Sequence, residues 1–302
     1  MASTPPASSA SLPADPLRPS AQVALAAWAE RVRAERAQVE RVREEPEHGD
    51  FYAAATGRFR AEPRRRDDPG LDALLALARP GDRWLDVGAG AGRYALPLAL
   101  AVGASGEVVA VDPSPGMLAA LREGMTEHGI GNVRVVEGRW PDELPPEVRG
   151  VRVDASLVAN VGYDIEAIGP FLDALEAATD RLCVAVMAER APSSAVDALW
   201  PAIVGEPRLP LPALAEFEAL LLARGRLFDV TLVERSAPAF AGMDDVVAFV
   251  RRQLWVRPGS ERDARLQTAL PAHLESRDGG YVLPGAPRRS GIVAWAPRQP
   301  AA

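Results

Sequence analysis

Between residues 81 and 188 the chain alternates short apolar runs with longer segments in which apolar residues recur every three or four positions. Apolar runs that end in turn residues predict buried strands, and the longer segments predict helices. The five predicted strands are residues 83–87, 106–112, 132–138, 151–160 and 181–188. Strands that alternate with helices indicate β-α-β units and a mainly parallel sheet.

The alternation becomes looser after residue 189. Residues 189–212 are rich in proline and predict an irregular segment with one short helix. The pattern then predicts a helix at 213–224, a strand at 227–235, helices at 243–255 and 261–276, and a last strand at 290–296. The two helices between the last strands exceed what a hairpin needs. We therefore expect a helical insertion at about 240–278 that forms a cap or an interface.

The N-terminal 80 residues divide into a tail and a helical extension. Residues 1–20 are rich in Pro, Ala and Ser, show no signal-peptide pattern, and predict a flexible tail. Residues 21–45 predict a helix with one apolar stripe, which belongs to a helical extension over 21–80. This helix is expected either to pack against its own domain or to form a lid over an active site. Residues 81–302 are expected to form the sheet domain.

Composition narrows the classes of protein. Hydrophobic residues make up 48% of the 302, which is enough for a sizeable core, and the net charge of -7 disfavours non-specific binding of nucleic acid. One cysteine and three histidines without ligand-like spacing predict neither a disulfide nor a metal site. No apolar stretch approaches the ~20 residues of a membrane helix, so a cytoplasmic protein is expected.

Three glycines follow the first predicted strand, in the stretch RWLDVGAGAGRY. Gly88, Gly90 and Gly92 let the backbone approach a ligand closely, because no Cβ intervenes. The helix that follows directs free N–H groups to the same place, and ligands in such sheets bind beyond the carboxyl ends of the strands. The pattern therefore predicts a nucleotide-like ligand over this bend.

The flanking residues narrow the identity of that ligand. A dinucleotide-binding fingerprint requires a glycine where the chain has Arg93, and the Gly-Lys-Ser/Thr of a phosphate-binding loop does not occur. Asp86 would repel a pyrophosphate, but it suits an ammonium group. Asp112 ends the second strand, where a carboxylate can accept hydrogen bonds from a ribose diol. A ribose, a cationic amino-acid end and no phosphate fit S-adenosylmethionine.

At these residues the chain resembles the class I S-adenosylmethionine-dependent methyltransferases. WLDVGAGAGRYALPLA is similar to their first motif, and VVAVDPSPGMLAAL (108–121) is similar to their second. The resemblance implies a three-layer α/β sandwich with a seven-stranded, mainly parallel sheet whose last strand is antiparallel. It also implies a cofactor site that contains Asp86, Gly88, Ala89, Gly90, Gly92, Asp112, Pro113 and Met117.

One position departs from the family pattern. In many members the third strand is followed by Gly and an acid that contacts the adenine amine, whereas here Arg139 follows Gly138. Either backbone groups near Arg139 and Trp140 contact the adenine, or one of the nearby acids Glu137 and Asp142 does. The ring of Trp140 either stacks on the purine or substrate or packs in the core.

The residues after the fourth strand are expected to form the substrate mouth. Ala159 and Asn160 would line the methionine end of the cofactor. Asn160 and Tyr163 have the spacing of the Asn-Pro-Pro-Tyr motif used on planar amines, but Val161 and Gly162 replace both prolines, which disfavours that chemistry.

Methyl transfer needs alignment and exclusion of water, and it needs a base only where the nucleophile must lose a proton. The candidates for such a base, chosen by their position in the chain, are Tyr163, Asp164 and His48.

The expected function is transfer of a methyl group from S-adenosylmethionine to O, N or C of a small or medium organic molecule. One alternative is a non-catalytic cofactor-binding partner subunit, and a less favoured one is a nicotinamide-dependent oxidoreductase, which Asp86 and Arg93 oppose. An RNA substrate is disfavoured, because the only basic run is residues 64–66. A homodimer would form through the helical insertion.

Overall fold

The structure is a computed structural model that describes residues 20–45, 56–60, 62–277 and 279–298. The predicted tail therefore lies outside the described residues except for Ser20. The catalytic candidate His48 also lies outside them.

Seven strands form the main sheet, in the order β3-β2-β1-β4-β5-β10-β6, and three short strands form a second sheet, in the order β7-β9-β8. β10 is antiparallel to both β5 and β6, whereas the strands from β3 to β5 pair in parallel. This confirms the expected mainly parallel sheet with an antiparallel last strand. The strands are β1 (Arg83–Val87), β2 (Glu107–Asp112), β3 (Val133–Glu137), β4 (Val153–Ala159), β5 (Thr179–Ala188), β6 (Phe228–Glu234), β7 (Ala239–Phe240), β8 (Glu275–Arg277), β9 (Gly280–Val282) and β10 (Arg289–Trp295).

Helices cover both faces of the main sheet. One hydrophobic cluster joins α3, α4 and α5 to the face of the sheet that carries Trp84 and Val108, and a second joins α1, α6 and α8 to the face that carries Leu85 and Val109. Strands buried on both faces require apolar side chains at successive positions, which explains why the predicted strands read as continuous apolar runs. The helices are α1 (Ala21–Val42), α2 (Thr56–Phe59), α3 (Pro69–Leu75), α4 (Ala95–Val102), α5 (Pro115–His128), α6 (Ile168–Ala177), α7 (Trp200–Val204), α8 (Leu214–Ala223), α9 (Met243–Leu254) and α10 (Glu261–Ala269).

The first helix packs against its own domain. Ser20 caps α1 by accepting a hydrogen bond from the backbone N–H of Val23. Trp28 contacts Phe217 of α8 edge-to-face, and its indole N–H donates to the carbonyl of Ile165 at 3.0 Å. Because Ile165 belongs to the loop after β4, α1 also fixes one wall of the region beyond the strand tips.

The insertion differs from its prediction in the length of one helix and in a small added sheet. The helix predicted at 261–276 ends at Ala269, because Pro271 has no N–H to continue it, and β8 follows instead. The small sheet of β7, β8 and β9 was not predicted, since strands of two or three residues carry no readable alternation. Val250 and Leu266 of the insertion form a separate hydrophobic core together with Trp200 of α7. The domain boundaries and the homodimer stay predictions.

None of the helices in the described part of the chain combines the length and apolar character needed to cross a membrane.

Candidate functional site

The glycine stretch is tied to the second strand at the carboxyl edge of the sheet. The backbone N–H groups of Gly88 and Ala89 both donate to the carbonyl of Val111, at 2.8 and 3.1 Å. Gly88, Gly90 and Gly92 have φ values of 76°, 53° and 84°, which L side chains rarely adopt. The bend therefore depends on glycine for its conformation.

The three glycines meet different surroundings. A Cβ at Gly88 would overlap the side chain of Val161, and a Cβ at Gly92 would overlap Leu121. A Cβ at Gly90 would meet only the sulfur of Met117, at 3.9 Å. Two of the glycines thus permit close packing, whereas Gly90 leaves space above the bend.

Asp112 connects the bend to the helix that follows β2. One carboxylate oxygen accepts from the backbone N–H of Gly90 and the other from that of Ser114, both at 2.8 Å. Ser114 in turn caps α5 by accepting from Met117 N–H at 3.0 Å. The predicted ribose acceptor therefore also holds the glycine bend in place, and Met117 lies buried beside it, while Pro113 is exposed.

Asp86 lies beneath the same bend in an unusual state for a carboxyl group. It is 1% exposed, and neither of its oxygens has a hydrogen-bond partner among the described residues. Burial raises the pKa of this carboxyl to about 7, and the charge of Asp112 contributes to the rise. A buried acceptor without a donor is unfavourable on its own, and a cation placed here would satisfy it.

The residues that follow β3 line the candidate site mainly with backbone groups. The N–H of Gly138 donates to the carbonyl of Asp112 at 3.1 Å, and a Cβ at Gly138 would overlap the carbonyl of Glu143. Arg139 exchanges two backbone hydrogen bonds with Glu143, and its side chain is exposed. Trp140 packs against the core on the α1 face, so the structure favours the packing interpretation of this ring.

Glu137 and Asp142, the other proposed contacts of the adenine amine, are both exposed.

Beyond β4 the chain brings together residues that are far apart in sequence. Asn160 has a φ of 56°, and its side-chain oxygen accepts from Nη1 of Arg235 at 2.9 Å. The same Nη1 donates to the hydroxyl of Ser290 at 3.1 Å. Ala159, the neighbour of Asn160, pairs with Val186 of β5. Asn160 was predicted at this edge, whereas Arg235 and Ser290 were missed.

Two of the predicted catalytic candidates lie in contrasting environments. Tyr163 is 5% exposed, and its phenol oxygen accepts from the N–H of Ala188 at 2.6 Å. Burial raises the pKa of Tyr163 to about 12, while the hydrogen bond from Ala188 and the charge of Arg235 oppose the rise. The phenol therefore keeps its proton at neutral pH. Asp164 is exposed, and its carbonyl accepts from Arg36 of α1.

Comparison with known proteins shows which domain this part of the chain is similar to. Residues 85–176 match the family model described as a methyltransferase domain, a span that runs from β1 to α6 and contains both motifs. A nocamycin O-methyltransferase of Saccharothrix syringae is 34% identical over 120 residues, which are 40% of this chain and 41% of that one. An aklanonic acid methyltransferase of a Streptomyces species is 39% identical over 65 residues, 21% of this chain and 30% of that one. The chain thus matches less than half the length of these curated relatives.

A solved structure shows the same fold over a longer span. The cyclopropane-fatty-acyl-phospholipid synthase-like protein of Lactobacillus casei superposes with a TM-score of 0.52 at 16% identity, covering 81% of this chain and 98% of that one. The sheet domain therefore shares its fold with that protein, and residues 85–176 within it match a methyltransferase domain.

Proposed function

We propose that the chain is an S-adenosylmethionine-dependent methyltransferase that methylates O, N or C of a small or medium organic molecule. The observation that carries this proposal is the Asp86 carboxyl, which is buried at the strand tip without a hydrogen-bond donor. An unpaired buried acid under a glycine bend matches the ammonium of the cofactor's methionine end and opposes a phosphate.

The residues around the bend fit the rest of the cofactor. Asp112 would accept hydrogen bonds from the ribose, since a carboxylate can accept from several donors at once. Gly90 leaves space for the cofactor to approach the backbone. Pro113 and Met117 would lie near the adenine, with Gly138, Arg139 and Trp140 on the adjoining wall. Ala159 and Asn160 would face the methionine end.

The bound cofactor supplies a methyl group activated by a positively charged sulfur. The chain's own task is to align the acceptor, exclude water and hold protons where they are needed. Tyr163 is poorly suited to accept a proton, because its pKa is about 12. The names of the curated relatives support an organic acceptor, and one of them specifies methylation at oxygen.

A nicotinamide dinucleotide fits these residues less well. Its pyrophosphate would lie against Asp86, which already has its pKa raised by burial and by Asp112. Arg93 also occupies the position of the third glycine of that fingerprint, and its guanidinium pairs with Asp68 at 3.0 Å.

Calorimetry with S-adenosylhomocysteine tests the proposal. We expect binding with a Kd below about 100 μM, which corresponds to roughly -6 kcal/mol. Asp86→Asn should weaken this binding, and Asp173→Asn, on the exposed surface of α6, should leave it unchanged. When the protein is incubated with a metabolite extract and S-adenosylmethionine labelled on its methyl group, the label should appear in a product. An absence of binding, or fluorescence quenching by NADH instead, contradicts the proposal.

A further inference from the structure

A half-buried arginine lies beyond the tip of β6, at the opposite edge of the main sheet from β3. Arg235 follows β6, and its backbone N–H donates to the carbonyl of Arg288 at 2.7 Å. Its side chain crosses the tip of β10 and bonds to Asn160 and Ser290 through one nitrogen, Nη1. The guanidinium is therefore held from two sides, and both of its side-chain partners are neutral.

This arrangement differs from that of other arginines with low exposure in the chain. Three of these form charge-assisted hydrogen bonds of 2.6 to 2.8 Å with carboxylates: Arg208 with Glu35, Arg226 with Glu176 and Arg251 with Asp263. Within the described ranges no acidic side chain forms an ion pair with Arg235. A partly desolvated cation that contacts only neutral groups retains an unmet preference for an anion.

The surroundings place this cation beside the candidate active site. Its charge acts on the buried phenol of Tyr163, which Tyr94 of the loop after the glycine bend also influences. Val161, next to Asn160 in sequence, packs against Gly88. The tips of β4, β6 and β10 thus enclose one region that adjoins the cofactor bend.

We propose that Arg235 binds a carboxylate of the methyl acceptor, with Ser290 and Asn160 fixing the orientation of the guanidinium. This inference rests on the proposed function and names its substrate class. A guanidinium presents two parallel N–H groups to a planar carboxylate, and such pairs combine strength with a defined geometry. The acceptor would therefore be an organic anion.

The cofactor also carries a carboxylate, on its methionine end, so the source of the anion has to be distinguished. The sheet order favours the acceptor. β6 lies at the opposite edge of the sheet from β3, with β4, β5 and β10 between β1 and β6. The backbone of Arg235 therefore lies on the far side of the crevice from Asp86 and Asp112, and its guanidinium reaches Asn160 at the tip of β4, the strand next to β1.

The test compares benzoate with benzamide, which has nearly the same shape and no charge. The full-length protein, saturated with S-adenosylhomocysteine, is titrated with each compound at about pH 7.5, where a benzoic acid is ionised, and binding is followed by ligand-observed NMR. We expect benzoate to bind at least about tenfold more tightly than benzamide. The preference should disappear in Arg235→Gln and fall in Asn160→Asp, which places a carboxylate against Arg235 within the chain.

Arg288→Gln is the matched control. It removes an exposed positive charge close to Arg235, since the carbonyl of Arg288 accepts the backbone N–H of Arg235. It should keep the preference for benzoate. The affinity for S-adenosylhomocysteine should stay within about twofold in Arg235→Gln, which also shows that this variant is folded. Arg235→Lys retains the charge and should retain part of the preference.

The inference is overturned if the natural protein binds the two compounds equally. It is also overturned if Arg288→Gln loses the preference for benzoate to the same extent as Arg235→Gln. A third contrary outcome is a large loss of S-adenosylhomocysteine affinity in Arg235→Gln while the natural protein shows no preference for benzoate. The last outcome would assign the arginine to the cofactor's carboxylate. Failure of the proposed function has a different signature, namely no S-adenosylhomocysteine binding or no methyl transfer by the natural protein. In that case the same titration without S-adenosylhomocysteine still measures the preference for benzoate.

Discussion

The two ends of the candidate active site have opposite charges. At the tips of β1 and β2, Asp86 and Asp112 are both buried, and Asp86 has no hydrogen-bond partner among the described residues. At the tips of β4, β6 and β10, Arg235 contacts the neutral side chains of Asn160 and Ser290. Each end therefore has an unmet electrostatic preference, one for a cation and the other for an anion.

This difference in charge indicates how the site would hold the cofactor at one end and the acceptor at the other. A positively charged cofactor end lowers the electrostatic free energy at the acidic tips, and an anionic acceptor does so at the basic tip. Exchange of the two positions would place like charges together. The charges of the crevice would thus orient the acceptor towards the methyl group.

The largest expected effect comes from the backbone of the acidic end. Gly92→Ala places a Cβ against Leu121 and Leu96 at a φ of 84°, so we expect the free energy of unfolding to fall. The decrease should be roughly 3–5 kcal/mol, with loss of cofactor binding. Gly131→Ala is the control, since a Cβ there meets nothing within 4 Å. Urea denaturation of both variants measures the difference, and equal stabilities would contradict the assigned role of the bend.

Asp86→Asn should have the next largest effect, on affinity. The substitution keeps the shape of the side chain and removes the charge that faces the cofactor's ammonium. We expect S-adenosylhomocysteine binding at about pH 8 to weaken by about 2–4 kcal/mol. Calorimetry measures this loss, and an unchanged affinity would place the ammonium elsewhere.

The same carboxyl should give the cofactor-free protein a distinctive pH dependence. The pKa of Asp86 is about 7 in the folded state against an ordinary value of 3.8, so the folded state retains a proton that the unfolded chain releases. Its contribution to stability is therefore present below about pH 4 and is lost as the pH rises through about 7. Compared with Asp86→Asn, the natural protein should lose on the order of 4 kcal/mol across this window. Parallel urea titrations of the two proteins at both limits measure it, and equal slopes would contradict the raised pKa.

Asp112→Asn should have a smaller effect on affinity. One oxygen remains to accept from the backbone, but the charge available to the ribose hydroxyls is lost. The expected weakening of S-adenosylhomocysteine binding is about 1–3 kcal/mol. If affinity is unchanged while stability falls, Asp112 serves only to hold the bend.

The smallest effect is expected at the basic end. Tyr163→Phe removes the acceptor of the Ala188 N–H, so the free energy of unfolding should fall by about 1–2 kcal/mol. The rate of methyl transfer should change by less than about threefold, because a phenol with a pKa of about 12 is poorly suited to act as the base. Loss of a general base typically reduces rates far more. A labelled-cofactor assay measures the rate, and a reduction of about a hundredfold with an altered pH profile would restore Tyr163 as a catalytic candidate.

The residues of the acidic end could be selected from the sequence because they are close together in the chain, and their role in cofactor binding stays a prediction. Asp86, the three glycines and Asp112 follow two apolar strands, and parallel strands bring such ends to one edge. The basic end depends on the pairing of β10 with both β5 and β6, which joins Asn160, Arg235 and Ser290 across the sheet. No local periodicity encodes that pairing, and the arginine after the sixth strand was therefore not selected.

The position of β10 in the sheet has a consequence for biosynthesis. This strand is translated last of the seven, yet it lies between β5 and β6, and among the described strands β6 pairs with it alone. While the nascent chain leaves the ribosome, β1 to β5 can already assemble, whereas β6 has to wait for residues 289–295. A premature stop codon just before Arg289 would consequently remove β6 from the sheet and separate Arg235 from Asn160, but it would spare every strand that carries the glycine bend.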